Sequence, residues 1–355
     1  MRKHFIDNLR WIVILLLIPY HAAQSFNTWG ELNYVTFSPN QAISSLIVFL
    51  SPYYMPLMFV LAGMSTRYAL QKRSCGQFVV ERLKRLFVPF LFGTLAFCPI
   101  LAYLGDKNNY NYHGSFWGHY KVFFTKWTDL AGFDGGFNVG QYWFLYFLFV
   151  ISLIAVGMIA LVNSLTKQRQ MPVDVPFPVI CLFGIMLPIF YDLLAVGGKS
   201  FAEYLYVFLI GYYVFSDDGM IEKMVKYRYL TLPVGLVACA INVYMFIWSG
   251  KDFGIANIMV KAAAEWFMIL ALLGIAPAER RYEQIGLLAA ENVAANLLAK
   301  DFGVAIDIEV VVLKLEGEAY ALGKSIEEIL LLGGCIAHNG AHLGSTGYEH
   351  ASLQA

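Results

Sequence analysis

The sequence predicts an all-α polytopic membrane protein, a multi-helix transmembrane bundle followed by a small soluble-type α/β C-terminal segment. Three observations carry this expectation. Only 14% of the 355 residues are charged and 59% are hydrophobic, whereas an average soluble domain carries about 25% charged residues. The mean hydropathy is +0.59. Eight apolar stretches approach the roughly 20 residues needed to cross a bilayer, at about 9–27, 43–64, 86–104, 142–163, 177–196, 201–216, 229–249 and 255–276. Finally, the material changes at Pro277. Residues 1–276 hold 20 Lys+Arg, 14 Asp+Glu and 53 aromatics; residues 277–355 hold 5, 11 and 4. The formal net charge is zero, and no nucleic acid partner is expected. Cys75, Cys98, Cys181, Cys239 and Cys335 stand singly, so neither a disulfide framework nor a metal site is expected.

The first span opens on Asp7 and reads D-N-L-R-W-I-V-I-L-L-L-I-P-Y-H to His21. Arg10 and His21 are 11 positions apart. At about 100° per residue this is roughly 1100°, about 20° from whole turns, so both face one way about 16 Å apart along the axis. A cation at one membrane surface would then lie below an imidazole deep in the bilayer. Ionisable groups there face a cavity or a partner. A histidine packed against a neighbouring helix satisfies the same pattern. So does a secretory signal cleaved near Ala22-Ala23, although the polytopic chain that follows argues against removal of this helix. Pro19 predicts a kink just before the histidine.

The second span ends in M-P-L-M-F-V-L-A-G-M-S-T-R-Y (55–68), where Ala62, Gly63 and Ser65 permit close helix approach or passage of a ligand. The third is entered through E-R-L-K-R-L-F-V-P-F (81–90). Arg82 and Arg85 are i,i+3 neighbours, a pair able to clamp a phosphate. A topogenic or lipid-binding cluster reads the same way. The basic residues Arg2, Lys3, Arg10, Arg67, Lys72, Arg73, Arg82, Lys84 and Arg85 flank the ends opposite loop 28–42, which has no Lys or Arg. The N-terminus is therefore expected on the cytoplasmic side. Loops 164–176 and 217–228 carry Lys167, Arg169, Lys223, Lys226 and Arg228 on that same side.

Loop 105–141 is expected outside. Its aromatics and amides suit stacking on sugar rings and bonding of hydroxyls, and equally an interfacial aromatic belt. Beyond Pro277, residues near 279–300 have helical periodicity, V-A-I-D-I-E-V-V-V-L-K-L-E alternates like a strand, and S-I-E-E-I-L-L-L reads as a short helix before Gly333-Gly334.

Several of these stretches, taken together, resemble the acyltransferase-3 family of integral membrane acyltransferases. They are D-N-L-R-W with the R-x10-H of Arg10 and His21, F-V-L-A-G at 59–63, R-L-K-R-L-F-V-P-F at 82–90, Q-Y-W-F-L at 141–145 and F-A-E-Y-L-Y-V-F-L-I-G-Y-Y at 201–213. Q-Y-W-F-L is similar to the family's H-L-W-F-L with Gln and Tyr in place of His and Leu. H-A-A-Q-S-F-N-T-W is similar, more loosely, to the glucan-modifying succinyltransferase branch. The resemblance covers about 1–276. It implies a ten-helix bundle in a bacterial inner (plasma) membrane, passing an acetyl- or succinyl-type group from cytoplasmic acyl-CoA to a glycan, lipid or other hydroxylated acceptor. His21 would be the catalytic residue, as base or covalent carrier, and Arg10 its companion. Arg82 and Arg85 would bind the CoA side. The family's last two helices are expected where 277–355 stands, and nothing there resembles them; an accessory domain, a fusion and a reading-frame change near codon 277 all fit. Two other classes remain open from the residues: a transporter or flippase for a polar or glycan-linked lipid, and a non-catalytic membrane scaffold.

Overall fold

The computed structural model describes residues 4–130, 133, 135–166 and 174–277. The expectations for the C-terminal segment lie outside the described residues, apart from Pro277. Within the described residues the chain is mostly helical, and each of the eight apolar stretches is largely helix, the fifth ending at Phe190 rather than 196. Six of the helical segments are long and apolar enough to cross a membrane. Phe177–Phe190 is apolar but shorter, and Phe201–Tyr213 has only 13 residues, about 20 Å at 1.5 Å per residue.

The first helix, α1 (His4–Gln24), starts five residues before the expected span and keeps Pro19 inside it. His21 consequently lies in the last turn of α1 rather than deep along its length. The second span is two helices, α2 (Gln41–Leu50) and α3 (Tyr54–Lys72). Asn40 caps α2, its side chain accepting from Ile43 N at 3.0 Å. The turn at 51–53 breaks the run, and Pro56 falls in the first turn of α3, where a missing N–H costs little.

The third segment begins at α4 (Cys75–Arg82), eleven residues earlier than expected, with Ser74 and Gln77 forming a reciprocal capping box. A π-helical turn over Leu83–Phe87 follows, then α5 (Val88–Ala96) and α6 (Cys98–Asn109). Pro89 and Pro99 stand in the first turns of α5 and α6. A proline ring clashes with the carbonyl four residues back, so Pro89 favours the wider turn that precedes it.

Outside the spans, α7 (Phe116–Thr125) and the short parallel pair β1 (Trp127–Leu130) and β2 (Phe137–Asn138) build the loop between α6 and α8. The chain continues through α8 (Trp143–Thr166) and α9 (Phe177–Phe190). A hairpin of β3 (Ala195–Val196) and β4 (Lys199–Ser200) then turns through Gly197 and Gly198, both at positive φ. Such two-residue turns need left-handed backbone at both positions, which glycine supplies without strain. Helices α10 (Phe201–Tyr213), α11 (Asp218–Val243) and α12 (Ile255–Ile275) complete the described chain.

The core is centred on α3, α10 and α12. Residues Leu57, Phe59, Val60, Leu61 and Met64 of α3 are fully buried. Trp266 of α12 is fully buried too, and its indole N–H donates to Ile180 O at 2.8 Å, fixing α12 on α9. Exposed Ile154, Leu161, Leu165, Leu182, Ile189 and Val237 mark faces of α8, α9 and α11 that suit lipid.

Candidate functional site

The buried stripe of α1 is Ile6, Leu9, Val13 and Tyr20, spaced at helical intervals. Arg10 and His21 both stand at one edge of it, about 20° apart on an ideal helix. Arg10 turns onto α3. Its Nη2 donates to Leu61 O at 3.2 Å and to Ser65 Oγ at 2.7 Å, while Nη1 lies 3.5 Å from Asp7 Oδ1. Ser65 Oγ itself donates to Leu61 O at 2.8 Å. The small residue Ser65, read in the sequence as permitting close helix approach or passage of a ligand, is thus the seat of the guanidinium.

Arg82 reaches the next position of α3. Its Nη2 is 3.3 Å from Thr66 Oγ1, and its guanidinium lies 4.7 Å from the centre of the Phe78 ring. Arg10 and Arg82 stand close enough to repel each other electrostatically. Arg85 does not join them. It is exposed and pairs with Glu81 at 3.3 Å, and Glu81 also pairs with Arg73. Three residues separate Arg82 and Arg85 in an α-helix by about one turn, but the π-helical turn between them is wider. The structure therefore brings Arg10 together with Arg82, on α3, and leaves Arg85 at the surface.

At the other end of α1, His21 is exposed, with its ring edge-on to Tyr20 at 5.6 Å. Tyr20 is buried. Its hydroxyl is 3.1 Å from Ser51 Oγ and its ring 4.6 Å from Tyr54. Tyr204 of α10 continues this aromatic wall, stacked on Phe59 at 4.4 Å and tilted toward Trp143 at 5.6 Å. Lys199 covers the other ring, its Nζ 5.0 Å from the Trp143 centroid.

Sequence reasoning missed the charges beyond that wall. Glu203 of α10 is 6% exposed and Glu265 of α12 is fully buried. Tyr191 donates its hydroxyl to Glu265 Oε2 at 2.9 Å, whereas Glu265 Oε1 is buried with no hydrogen-bond partner among the described residues. Lys261, one turn before Glu265, sits 3.8 Å over the Tyr191 ring and attracts both carboxylates, which repel each other. The available signal was a lone acidic residue inside each of two apolar runs, A-A-A-E-W-F-M and F-A-E-Y-L. Charges held within apolar segments mark function or a specific partner.

Loop 105–141 is a packed layer. His119 is fully buried, with Nε2 3.0 Å from Asp106 Oδ2 and its ring between those of Tyr103 and Tyr112. Tyr34, from the loop after α1, donates to Asn138 Oδ1 at 3.1 Å, and burial raises its phenol above the ordinary value. Trp117 and Trp127 are left 78% and 80% exposed on this layer.

A multi-pass helical membrane protein is defined by these spans, with a basic pair seated on α3 and an imidazole at the far end of the helix that supplies one arginine. The acyltransferase-3 family model, described as "Acyltransferase domain", matches residues 3–280; the chain belongs to this family and is a membrane acyltransferase. The match stops beside the composition change at Pro277. No curated protein and no solved structure matches the chain.

Proposed function

We propose that the protein transfers an acetyl- or succinyl-type acyl group from acyl-CoA, bound at the end of the bundle that carries Arg10 and Arg82, to a hydroxyl of a glycan or lipid acceptor near His21. The observation that carries this reading is α1 itself. It holds Arg10 clasped to α3 by two hydrogen bonds and an exposed imidazole in its last turn, within a chain of an acyltransferase family. Arginine is suited to phosphate by its always-charged, forked guanidinium. The pantetheine arm of CoA separates phosphates from thioester, which suits sites about 16 Å apart along a helix. Arg85, exposed and paired with Glu81, would meet CoA only at the mouth of such a site.

At neutral pH a neutral imidazole can take the proton of the acceptor hydroxyl. The hydroxyl oxygen then attacks the thioester carbonyl, the carbon–sulfur bond breaks, and the leaving thiolate takes up the proton. The products are an ester and free CoA thiol. Transfer through an acylated imidazole has the same net balance. The basic residues around the α3–α4 connection support a cytoplasmic position for that end by the positive-inside rule, in a bacterial inner membrane on this reading.

The test is thiol release by the purified full chain in lipid nanodiscs supplied with acetyl-CoA or succinyl-CoA and glycan or lipid acceptors. Acceptor-dependent release of CoA thiol is the expected result. Absence of release with every donor, together with no detectable CoA binding, would sink the reading.

A further inference from the structure

Arg67 of α3 is 2% exposed, and its Nε and Nη1 are buried without a hydrogen-bond partner among the described residues. Its guanidinium rests against an aromatic face, 5.1 Å from the centre of the Tyr212 ring of α10. A guanidinium stays charged in any protein environment, and leaving its buried donors without partners is unfavourable. The fold nonetheless holds it there firmly. Gly63, one turn earlier on α3, packs on the backbone of α10 at Phe208, and Tyr68 beside Arg67 donates its hydroxyl to Ser216 O at 3.0 Å.

Arg67 does not belong to the Arg10–Arg82 pair. Successive α-helical residues point about 100° apart, and Arg10 uses Ser65, Arg82 uses Thr66, and Arg67 faces Tyr212. Arg82 feels Arg10, Glu81, Arg85 and Arg73, and Arg67 is not among them. The phenols of Tyr68 and Tyr213 do lie within reach of its charge, and Tyr68 also feels Asp217 and Asp218 at the start of α11.

We infer that Arg67, seated against the Tyr212 ring with two unpaired N–H groups, forms a second anion site between α3 and α10 that takes a phosphate group. The chemistry is that of a fork of N–H donors around one anionic head, which arginine recognises bidentately. Phosphate from a membrane lipid headgroup and phosphate from CoA share this chemistry. Only the CoA source rests on the acyl-CoA reading above.

The full chain is reconstituted in phosphatidylcholine nanodiscs, and its thermal midpoint is followed as either CoA is added or phosphatidylglycerol replaces part of the lipid. Wild type should gain thermal stability with at least one probe, since a ligand bound only by the folded state stabilises it. Arg67→Met should lose that gain by at least tenfold in the probe concentration required, and without probe it should be no less stable than wild type. Arg67→Lys, which keeps charge without the fork, should need several times more probe. Loss confined to the phosphatidylglycerol arm assigns a lipid phosphate, and loss confined to the CoA arm assigns the nucleotide. Arg82→Gln separates this site from the other, because it should leave the lipid response intact. No response of wild type to either probe would overturn the site, as would an Arg67→Met protein that responds like wild type or that is destabilised with and without probe. A CoA response that survives Arg67→Met but not Arg82→Gln would overturn only the CoA source.

Discussion

Gly63 of α3 and Gly211 of α10 each press on the other helix's backbone. A Cβ on Gly63 would lie 2.0 Å from Phe208 O, and one on Gly211 would lie 2.2 Å from Val60 O. Small residues are how membrane helices approach closely without a hydrophobic drive between them. Gly63→Ala or Gly211→Ala must therefore push the two helices apart, because the obstructing atoms are backbone. Each should cost about 1–3 kcal/mol or more, the range for overpacking a tight core. Thermal unfolding in nanodiscs would show it as a lowered midpoint; unchanged midpoints for both would contradict the packing.

The buried carboxyls should make Tyr191 important to stability. Tyr191→Phe removes the hydrogen bond that the Glu265 side chain accepts among the described residues and leaves a buried acceptor bare, at about 1–3 kcal/mol. Lys261→Met should cost more, since the ammonium is the attractive charge shared by Glu203 and Glu265. Combining Lys261→Met with Glu265→Gln should recover part of that loss. A double variant no more stable than Lys261→Met alone would argue against electrostatic coupling of the two.

For His21, the expectation is a separation of activity from abundance. Its side chain is exposed, so His21→Ala should fold and insert at near wild-type levels. Loss of a general base should lower acyl transfer by about 10²–10⁴. Activity per folded molecule is the quantity to measure, and retention of more than about a tenth of it would remove His21 from the chemistry. Tyr20→Phe, which loses the hydroxyl's contacts to Ser51 Oγ and Tyr54, should behave oppositely, with modestly lowered stability and activity largely kept.

Arg82 and Arg85 should diverge although the sequence pairs them. Arg82 points to Thr66 and Phe78, whereas Arg85 stays outside with Glu81. Arg82→Gln should raise the KM for acyl-CoA by about ten- to a hundredfold, the worth of a hydrogen bond from a charged donor. Arg85→Gln should change it by no more than about fivefold, as exposed ion pairs contribute little, and should do so only at low salt. Equal effects of the two would restore the single-clamp arrangement.

Orientation is open to direct labelling. A cysteine at the exposed Ser38, in the loop without Lys or Arg, should react with an impermeant thiol reagent from outside. One at the exposed Gln71 should react only after permeabilisation. Cys75, itself exposed, must first be replaced. The reverse pattern would place Arg10 and Arg82 on the wrong side for cytoplasmic acyl-CoA.

Composition by itself determined that this chain lives in a membrane. Burying so few charges in so apolar a sequence leaves few alternatives, and the eight apolar stretches all became largely helix because lipid allows backbone groups no partners but each other. The Arg10–His21 spacing was legible for the same reason, since one helix fixes the angle between its own residues. Helix ends were less legible. The span expected at 86–104 runs over Cys75–Asn109, because the capping box at Ser74 and Gln77 starts the helix among charged residues.

Contacts between helices were decided only by the tertiary structure. Nothing local says that Ser65 receives Arg10, that Thr66 receives Arg82, or that Glu203 and Glu265 meet around Lys261. Those pairings depend on which faces adjoin once Gly63 and Gly211 let α3 and α10 close on each other. A linear sequence carries each helix's periodicity, but the partner of a buried charge is set by packing across 50 to 200 residues of chain, where no period operates.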